Sequence, residues 1–524
     1  MPTANTRELD RLWDVVIIGA GMGGGFTARA LAEAGYDVLL VDRGYKERGG
    51  PAENSSAEKS SQNDDLAECK WPGPSACEVD GTLTRHFGIF GAGVGGSTNL
   101  YAAALERFAR HDVESLPEAP HPTGGWPIEY NRLLPYYEKA ERMLHVAGTR
   151  DPLNPDPVDH LPQPPPLGPA DTQFVQSFTK SGAHPYRLHV GIRYLPGCDE
   201  CLGKLCPRNC RADARSVVRE GSSQPTILER AEAVRLEASQ DKVSKVILRQ
   251  DGVETAVCAK VFVLAAGAVH TPKLLLESRG EHWPDGVANR TGMVGRNLMF
   301  HAGFQFIMWP RKKHPSSGPR KSICLRDFYL VDGQRLGVVQ SSGFEAGYGY
   351  LLVYLYSAFD RGPFRWLRVL RPFLRVPAAL AIKLRGPGTI FSTIVEDLPY
   401  ADNRIVIDRN EEDGVVMKYT VRQELRDRIL RFHRLLRNTL DKRTLFFPPD
   451  VTLNLSHACG TCVMGNDPAT SVINPDCRVH GITNLFITDA SFMPTSAGIN
   501  PSLTVAANAL RVSESIKRTL AGES

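Results

Sequence analysis

The stretch that decides the fold reads Asp14-Val15-Val16-Ile17-Ile18-Gly19-Ala20-Gly21-Met22-Gly23-Gly24. Its first five residues form an apolar, β-branched run, which predicts a buried parallel strand. Gly19, Gly21 and Gly24 give the pattern G-x-G-x-x-G, and a plausible helix follows them. Glycines at these positions allow a tight turn and a close approach of the backbone to a pyrophosphate at the helix N-terminus. The stretch therefore predicts a dinucleotide-binding unit.

The next predicted strand, from Tyr36 to Val41, ends at Asp42. A carboxylate there accepts hydrogen bonds from ribose hydroxyls, which fits FAD or NAD better than NADP. The glycine pattern alone is a weak signal, but the order strand, turn, helix, strand and acid supports it. The alternative is a glycine-rich turn without a ligand.

Two further glycine-rich segments follow. The run from Gly88 to Leu100 contains Gly95, Gly96, Ser97 and Asn99, which suggests backbone packed against a flat or anionic ligand. A mobile loop is the alternative interpretation. The segment Lys260 to Ala268 passes from a strand through Ala265, Ala266 and Gly267 to a helix. It predicts a second strand–glycine–helix junction of the doubly wound type.

Composition restricts the class of protein. The chain has 524 residues, of which 42% are hydrophobic and 23% charged, as in a globular protein. A net charge of +4 is small for this length, and nucleic acid is not an expected partner. The N-terminal residues lack an apolar signal core, and no apolar run reaches the roughly 18 residues of a membrane span. Eleven cysteines without a secretion signal favour the reducing cytoplasm.

Four of the cysteines lie in one short segment, as Cys198, Cys201, Cys206 and Cys210. Thiolates at this spacing can converge on a soft metal or an iron–sulfur cluster. Zinc ribbons contain two C-x2-C pairs, whereas here only Cys198 and Cys201 have this spacing. The alternative is a loop of reduced thiols.

The sequence pattern of residues 301–455 predicts a separate, sheet-based substrate domain. Strand-like runs include Tyr350 to Ser357, and the amphipathic pattern from Gln423 to Asn438 predicts a helix. The segment Arg361 to Arg385 interleaves basic and apolar residues, and Pro372 and Pro377 should kink or split any helix there. Such a segment can lie on an anionic membrane surface. A lid over the substrate cavity and a solvated helix are the alternatives.

The chemistry is expected in the C-terminal block from His457 to Thr504, where His457, Asp489 and Asn500 occur in glycine- and proline-punctuated segments. An imidazole can take an alcohol proton as a hydride leaves the carbon. An amide at Asn500 can orient the same oxygen.

Taken together, these motifs resemble the glucose–methanol–choline (GMC) family of flavin oxidoreductases, from Asp14 to Ile516. The resemblance implies that His457 is the catalytic histidine and Asn500 its partner. It also implies FAD contacts for the residues of the first turn, for Gly95, Gly96 and Ser97, and for Val234, Ala266, Asp489, Ala490 and Pro501. Asn99 stands where some members attach the flavin through a histidine, so non-covalent FAD is expected. The cysteine loop resembles one that carries a three-iron cluster in bacterial sugar dehydrogenases, with one cysteine displaced to Cys198.

The implied fold is α/β. A doubly wound, Rossmann-like FAD-binding domain (10–110, 215–300 and 455–524) is interleaved with an antiparallel-sheet-plus-helix substrate-binding domain. The latter comprises residues 111–214, with the cysteine-rich loop 198–210, and residues 301–454.

The implied function is oxidation of a CH–OH group, with proton abstraction by His457 and hydride transfer to flavin N5. A dehydrogenase acting on a sugar or glycoside is expected. The alternatives are an enzyme for long-chain or lipid-like alcohols at the inner face of a membrane, contacting it through residues 361–385, and a non-catalytic flavin-binding module. Oxygen, a quinone or a redox protein could accept the electrons.

Overall fold

The computed structural model describes residues 9–45, 69–154, 156, 158–198, 200–203, 206, 208–311, 318–361, 365–440, 444–446 and 451–523. The residues before Leu9 and most of the polar excursion after Asp42 lie outside this part, as does Lys204 in the cysteine loop.

A seven-stranded sheet forms around the first strand, Leu12–Ile18. This strand pairs in parallel with Val38–Val41 on one side and with Val253–Leu264 on the other. Val15, Val16 and Ile17 are fully buried, as the continuous apolar run predicts. In spatial order the strands are Thr226–Leu228, Val38–Val41, Leu12–Ile18, Val253–Leu264, Val243–Gln250 and Ala231–Ala238, and Leu485–Ile487 also pairs with Val253–Leu264.

The helix Met22–Ala32 leaves the first strand through the glycine turn and packs against the C-terminal helix Ser502–Leu520 and the short helix Ala214–Arg219. Because it is covered on several sides, nearly all of its residues are buried. The helix Gly267–Glu277 follows the second glycine junction. These elements form the predicted doubly wound unit.

A second, antiparallel sheet of six strands forms the other half of the molecule. The helix Gln423–Thr439 covers it and buries Leu425, Ile429, Phe432 and Leu436, the face that its periodicity predicts. In spatial order the strands are Thr444–Phe446, Gln305–Met308, Gly388–Ile394, Val338–Ala346, Ile323–Leu325 and Tyr186–Arg187.

Smaller sheets accompany the two large ones. Met299–Gly303 pairs with Thr452–Cys459, and Leu330–Val331 pairs with Gln334–Arg335. A four-stranded sheet has the order Arg404–Ile407, Val415–Tyr419, Ser75–Val79 and Thr82–His86. Further helices are Arg110–Val113, Leu134–Met143 and Pro169–Lys180, and short 3-10 helices lie at Gly96–Asn99, Tyr130–Arg132 and Ala490–Phe492.

The strand predicted from Tyr350 to Ser357 is wrong, because this run lies in the helix Tyr348–Arg361. Tyr350 and Tyr354, one helical turn apart, both donate hydrogen bonds to the side-chain oxygen of Gln305. Aromatic residues at this spacing fit a helix packed on the sheet as well as they fit a strand, so composition alone misleads.

The basic segment forms a 3-10 helix, Arg365–Leu374, which contains Pro372, and then a helix, Arg375–Arg385. The non-helical residue in this segment is Leu367, so the kink does not lie at Pro372, where the sequence predicts it. The predicted stripe of positive charge falls partly outside the described side chains, namely at Arg361, Arg365 and Arg368. Among the described residues, no helix is both long and apolar enough to cross a bilayer.

Candidate active site

A cavity of about 850 Å³ is lined by both large sheets and by the C-terminal block. At one end lie the glycine turn after the first strand and the junction at Ala265 to Ala268. At the other end lie polar side chains of the antiparallel sheet. His457 and Asn500 both line the space between these two ends.

The glycine turn has the geometry that a pyrophosphate requires. Gly21 is the N-cap of the first helix, and no side chain caps that helix, so its first amide groups stay available to a ligand. A Cβ at Gly21 would meet no atom of the described protein within 4 Å, so the turn is open on this side. By contrast, a Cβ at Gly19 would lie 2.3 Å from the carbonyl oxygen of Ala265, and one at Gly24 would lie 1.8 Å from that of Gly19. These two glycines permit close packing of the backbone.

Asp42 holds the backbone around the turn. Its carboxylate accepts hydrogen bonds from the amides of Ala20 at 2.8 Å, Gly44 at 2.9 Å and Gly93 at 2.7 Å. It thereby ties the first glycine turn to the second glycine-rich segment. Asp42 also lines the cavity, and its contact with a ribose remains a prediction.

The second glycine-rich segment packs directly on the first. A Cβ at Gly96 would lie 2.8 Å from the Cα of Gly21. Gly96 and Ser97 line the cavity, whereas Gly95 and Asn99 lie behind its wall. Asn99 is fully buried and donates a hydrogen bond to the carbonyl of Val94 at 3.0 Å, so its side chain stabilises the segment.

Val234 lies next to the cavity wall but not in it. It sits at an irregularity in the pairing of its strand, between Ala233 and Arg235. Its neighbours Glu232 and Ala233 line the cavity. A bulge of this kind changes which side chains face a ligand, and the sequence gives no signal of it.

Asp489 joins the C-terminal block to the second glycine junction. Its carboxylate accepts hydrogen bonds from the amide of Gly267 at 2.9 Å, from the hydroxyl of Thr271, and from the amide of Ser491 at 2.9 Å. Burial raises the pKa of this carboxyl group. Ala266, Ala490 and Pro501 line the cavity beside it.

The most informative contact in the site joins two imidazoles. Nδ1 of His457 lies 3.1 Å from Nδ1 of His301, and Nε2 of His301 lies 3.1 Å from the carbonyl of Ser496 and 3.0 Å from that of Ala497. Carbonyl oxygens only accept hydrogen bonds, so Nε2 of His301 carries the proton and its Nδ1 accepts. His457 must then donate from Nδ1, which leaves its Nε2 unprotonated.

Both imidazoles are held in their neutral form. Burial lowers the pKa of His301 to about 4 and that of His457 to about 3. The positive charge of Lys321 also lowers the pKa of His457. Since His457 lines the cavity, its unprotonated Nε2 is a base available to a bound alcohol. Asn500 also lines the cavity, and its buried Oδ1 has no hydrogen-bond partner among the described residues.

His301 was missed by the sequence analysis. It lies in the strand Met299–Gly303, which pairs with Thr452–Cys459 and so places His301 beside His457, 156 positions later. No local sequence pattern predicts a pairing between such distant segments.

The four cysteines of the loop form a chain of thiol contacts. Cys201 is hydrogen-bonded to Cys206, and Cys210 to both Cys198 and Cys206. In the described part of the chain, no group of three or more His, Cys, Asp or Glu side chains is arranged to hold a metal ion. The iron–sulfur cluster considered from the spacing therefore has no support in these residues.

The fold and the cavity define a dinucleotide-dependent oxidoreductase of the α/β class. Sequence models of the GMC oxidoreductase family match residues 22–303 and 399–509, so the chain belongs to this family. It is an FAD-binding enzyme that acts on CH–OH groups. The open glycine turn and the uncapped helix fit such a cofactor.

Curated relatives match nearly the whole chain. The chain is 29% identical to 6'''-hydroxyparomomycin C oxidase of Streptomyces lividus over 549 residues, covering 98% of this chain and 93% of that protein. It is 28% identical to paromamine 6'-oxidase of Streptomyces fradiae, covering 98% and 92%. It is 26% identical to the fructose dehydrogenase large subunit of Gluconobacter japonicus, covering 97% and 98%.

Solved structures share the fold. Pyridoxine 4-oxidase from Mesorbium loti aligns with a TM-score of 0.65 at 19% identity, covering 96% of this chain and 99% of that one. Formate oxidase of Aspergillus oryzae aligns with a TM-score of 0.67 at 16% identity, covering 97% and 98%.

Proposed function

We propose that the protein is an FAD-dependent dehydrogenase that oxidises a hydroxyl group of a sugar or glycoside, with His457 as the base. The observation that carries this proposal is the hydrogen-bond chain from Ser496 and Ala497 through His301 to His457. It fixes the proton of His457 on Nδ1 and leaves Nε2 as an acceptor on the cavity wall.

The other residues of the site orient the reactants. Asn500 offers an amide on the same cavity wall: its nitrogen can donate a hydrogen bond to the oxygen that His457 deprotonates, and its unpartnered oxygen can accept one from a neighbouring hydroxyl of the substrate. Asp489 keeps Gly267 at the cavity wall and ties it to Ser491. FAD, when bound, supplies the acceptor for the hydride that leaves the carbon. His457 takes the hydroxyl proton, and the buried wall limits water.

The polarity of the substrate end favours a sugar. The wall there carries amide, hydroxyl and ammonium groups, and a substrate with several hydroxyls can pair with many of them. The relatives named for sugars or glycosides support the same class at low identity. The residues at this end are Gln305, Lys321, Gln340, Ser342, Ser392, Thr393 and Asn454.

A screen under anaerobic conditions tests this proposal. The FAD-loaded protein is mixed with sugars, glycosides and long-chain alcohols, and bleaching of the flavin absorbance is recorded. We expect reduction by a sugar or glycoside. Reduction by long-chain alcohols alone would contradict the substrate class.

A second candidate substrate, a lipid-like alcohol reached from a membrane surface, is favoured by a separate observation. The segment after residue 364 exposes large apolar side chains, among which Trp366 is 75% and Val369 81% exposed. No acidic residue occurs between Arg361 and Arg385. We call this the apolar arm; its exposed apolar members are Trp366, Val369, Leu370, Phe373, Val376, Leu380 and Leu384. An amphipathic, basic surface of this kind fits an anionic bilayer.

A further inference from the structure

A buried cation lies in the substrate end of the cavity. Lys321 is 7% exposed and lines the cavity wall. Its ammonium group donates one long hydrogen bond, to the carbonyl of Ser341 at 3.4 Å, and forms no ion pair with any residue that the structure describes. An ammonium has three donors, and a buried charge without a partner is costly.

The acidic residue whose charge stabilises the protonated form of Lys321 is already paired with other side chains. Glu200 favours the charged form of Lys321 through space, but its carboxylate pairs with Arg320 at 3.3 Å and accepts the hydroxyl of Tyr194 at 3.0 Å. Lys321 therefore lacks the close carboxylate that usually accompanies a buried ammonium.

A second unmatched donor lies on the same wall. Gln340 is 2% exposed and lines the cavity, and its amide nitrogen has no hydrogen-bond partner among the described residues. Gln340 pairs across the sheet with Cys324, three positions after Lys321. Buried donors without acceptors normally indicate a missing ligand atom.

The charge of Lys321 also reaches the base, because it lowers the pKa of His457. Since Lys321 and His457 line the same cavity, one substrate molecule can present an anionic group to Lys321 and a hydroxyl group to His457. The two donors and the positive charge together favour a ligand with at least two acceptor oxygens and a negative charge.

We propose that Lys321 and Gln340 form a subsite for the carboxylate of a sugar acid, so that the enzyme prefers uronates or aldonates to uncharged sugars. This inference rests on the proposed function, because it names the substrate class of the same cavity. It adds a specificity-determining pair that would bind the anionic group of the substrate and not the hydroxyl group that is oxidised.

Matched sugars and variants test the subsite. The FAD-loaded wild type, Lys321→Met, Lys321→Arg and Gln340→Leu are each reduced anaerobically by glucuronate, glucose and glucosamine, and by galacturonate beside galactose. We expect the wild type to prefer each uronate. In Lys321→Met, the ratio of kcat/KM for the uronate to kcat/KM for its uncharged partner should fall by about tenfold or more, chiefly through KM for the uronate. Lys321→Arg should retain part of the preference, and Gln340→Leu should weaken it.

The dependence on pH gives an independent readout. Burial lowers the pKa of Lys321 to about 8, so the side chain is charged below that pH and loses its charge above it. KM for glucuronate should therefore rise as the pH passes about 8, and KM for glucose should not. In Lys321→Met this difference should vanish.

Several results would overturn the subsite. One is a wild-type preference for the uncharged member of each pair. Another is a loss of FAD or an altered flavin spectrum in Lys321→Met, which would assign the lysine to the cofactor. If no sugar of any charge reduces the flavin and a long-chain alcohol does, the proposed function fails and the subsite fails with it.

Discussion

At the scale of single residues, the pairing of His301 with His457 determines which nitrogen can act as the base. Without His301, Nδ1 of His457 would lose its acceptor, and the imidazole could take either neutral tautomer. His301 is therefore a positioning residue, since it acts on the substrate through His457.

We expect His301→Leu to lower the rate of flavin reduction by about tenfold, less than the loss of about 10² expected from removing the base itself. His301→Gln should recover part of the rate, because an amide oxygen can accept the hydrogen bond from Nδ1 of His457. Stopped-flow reduction at several substrate concentrations measures this, and FAD content serves as the folding control. Equal losses in both variants would contradict the tautomer argument.

The glycine turn allows a second test at this scale. A Cβ at Gly21 meets open space, whereas one at Gly23 would lie 2.1 Å from the carbonyl oxygen of Thr488. Gly21→Ala should therefore keep the stability of the FAD-free protein and weaken FAD binding, because the methyl group occupies ligand space. Gly23→Ala should cost about 1–3 kcal/mol in the free energy of unfolding through overpacking.

Thermal unfolding of both variants without FAD, and titration with FAD where the protein folds, separate these effects. A large fall in the melting temperature of Gly21→Ala would show that its methyl group clashes with protein and not with the ligand.

At the scale of elements, the apolar arm is the part of the surface that the catalytic proposal does not explain. Its exposed apolar residues and its basic residues Arg371, Arg375, Lys383 and Arg385 lie on the consecutive helices Arg365–Leu374 and Arg375–Arg385. Such an arrangement is unfavourable in water and favourable at an anionic bilayer.

We expect the protein to sediment with vesicles that contain anionic lipid and to remain in solution with neutral vesicles. The variant Trp366→Ser/Phe373→Ser should lose most of the binding, and added salt should weaken it. The matched control Leu153→Ser/Val253→Ser removes exposed apolar side chains elsewhere and should bind like the wild type. Equal binding by the two double variants would exclude the arm as the contact.

The secondary-structure elements also show where sequence patterns are enough to predict the fold. The strand Leu12–Ile18, the glycine turn and the helix Gln423–Thr439 were predictable because their signals are local. The helix Tyr348–Arg361 was predicted as a strand because apolar and aromatic composition does not distinguish the two in a short window. A kink was expected at Pro372 because proline acts on its own backbone, whereas the non-helical residue is Leu367, which carries no local signal.

At the scale of the whole molecule, the site is built where two sheets and the C-terminal block meet. His457, Asn500 and Asp489 could be found from the sequence because the family motif places them. His301, Lys321 and Gln340 could not, since their places on the cavity wall depend on how the strands of the sheets pair and pack. Such pairings are set by tertiary packing, which a single sequence does not display.

The central claim is that His457 is the base of an FAD-dependent alcohol oxidation. The most direct measurement is the anaerobic rate of flavin reduction by the best sugar substrate in wild type, His457→Ala and the control His282→Ala, whose histidine is exposed and lies outside the cavity wall. We predict that His457→Ala binds FAD normally and reduces it about 10² times more slowly or worse, while His282→Ala behaves like the wild type. Near wild-type reduction in His457→Ala would contradict the account.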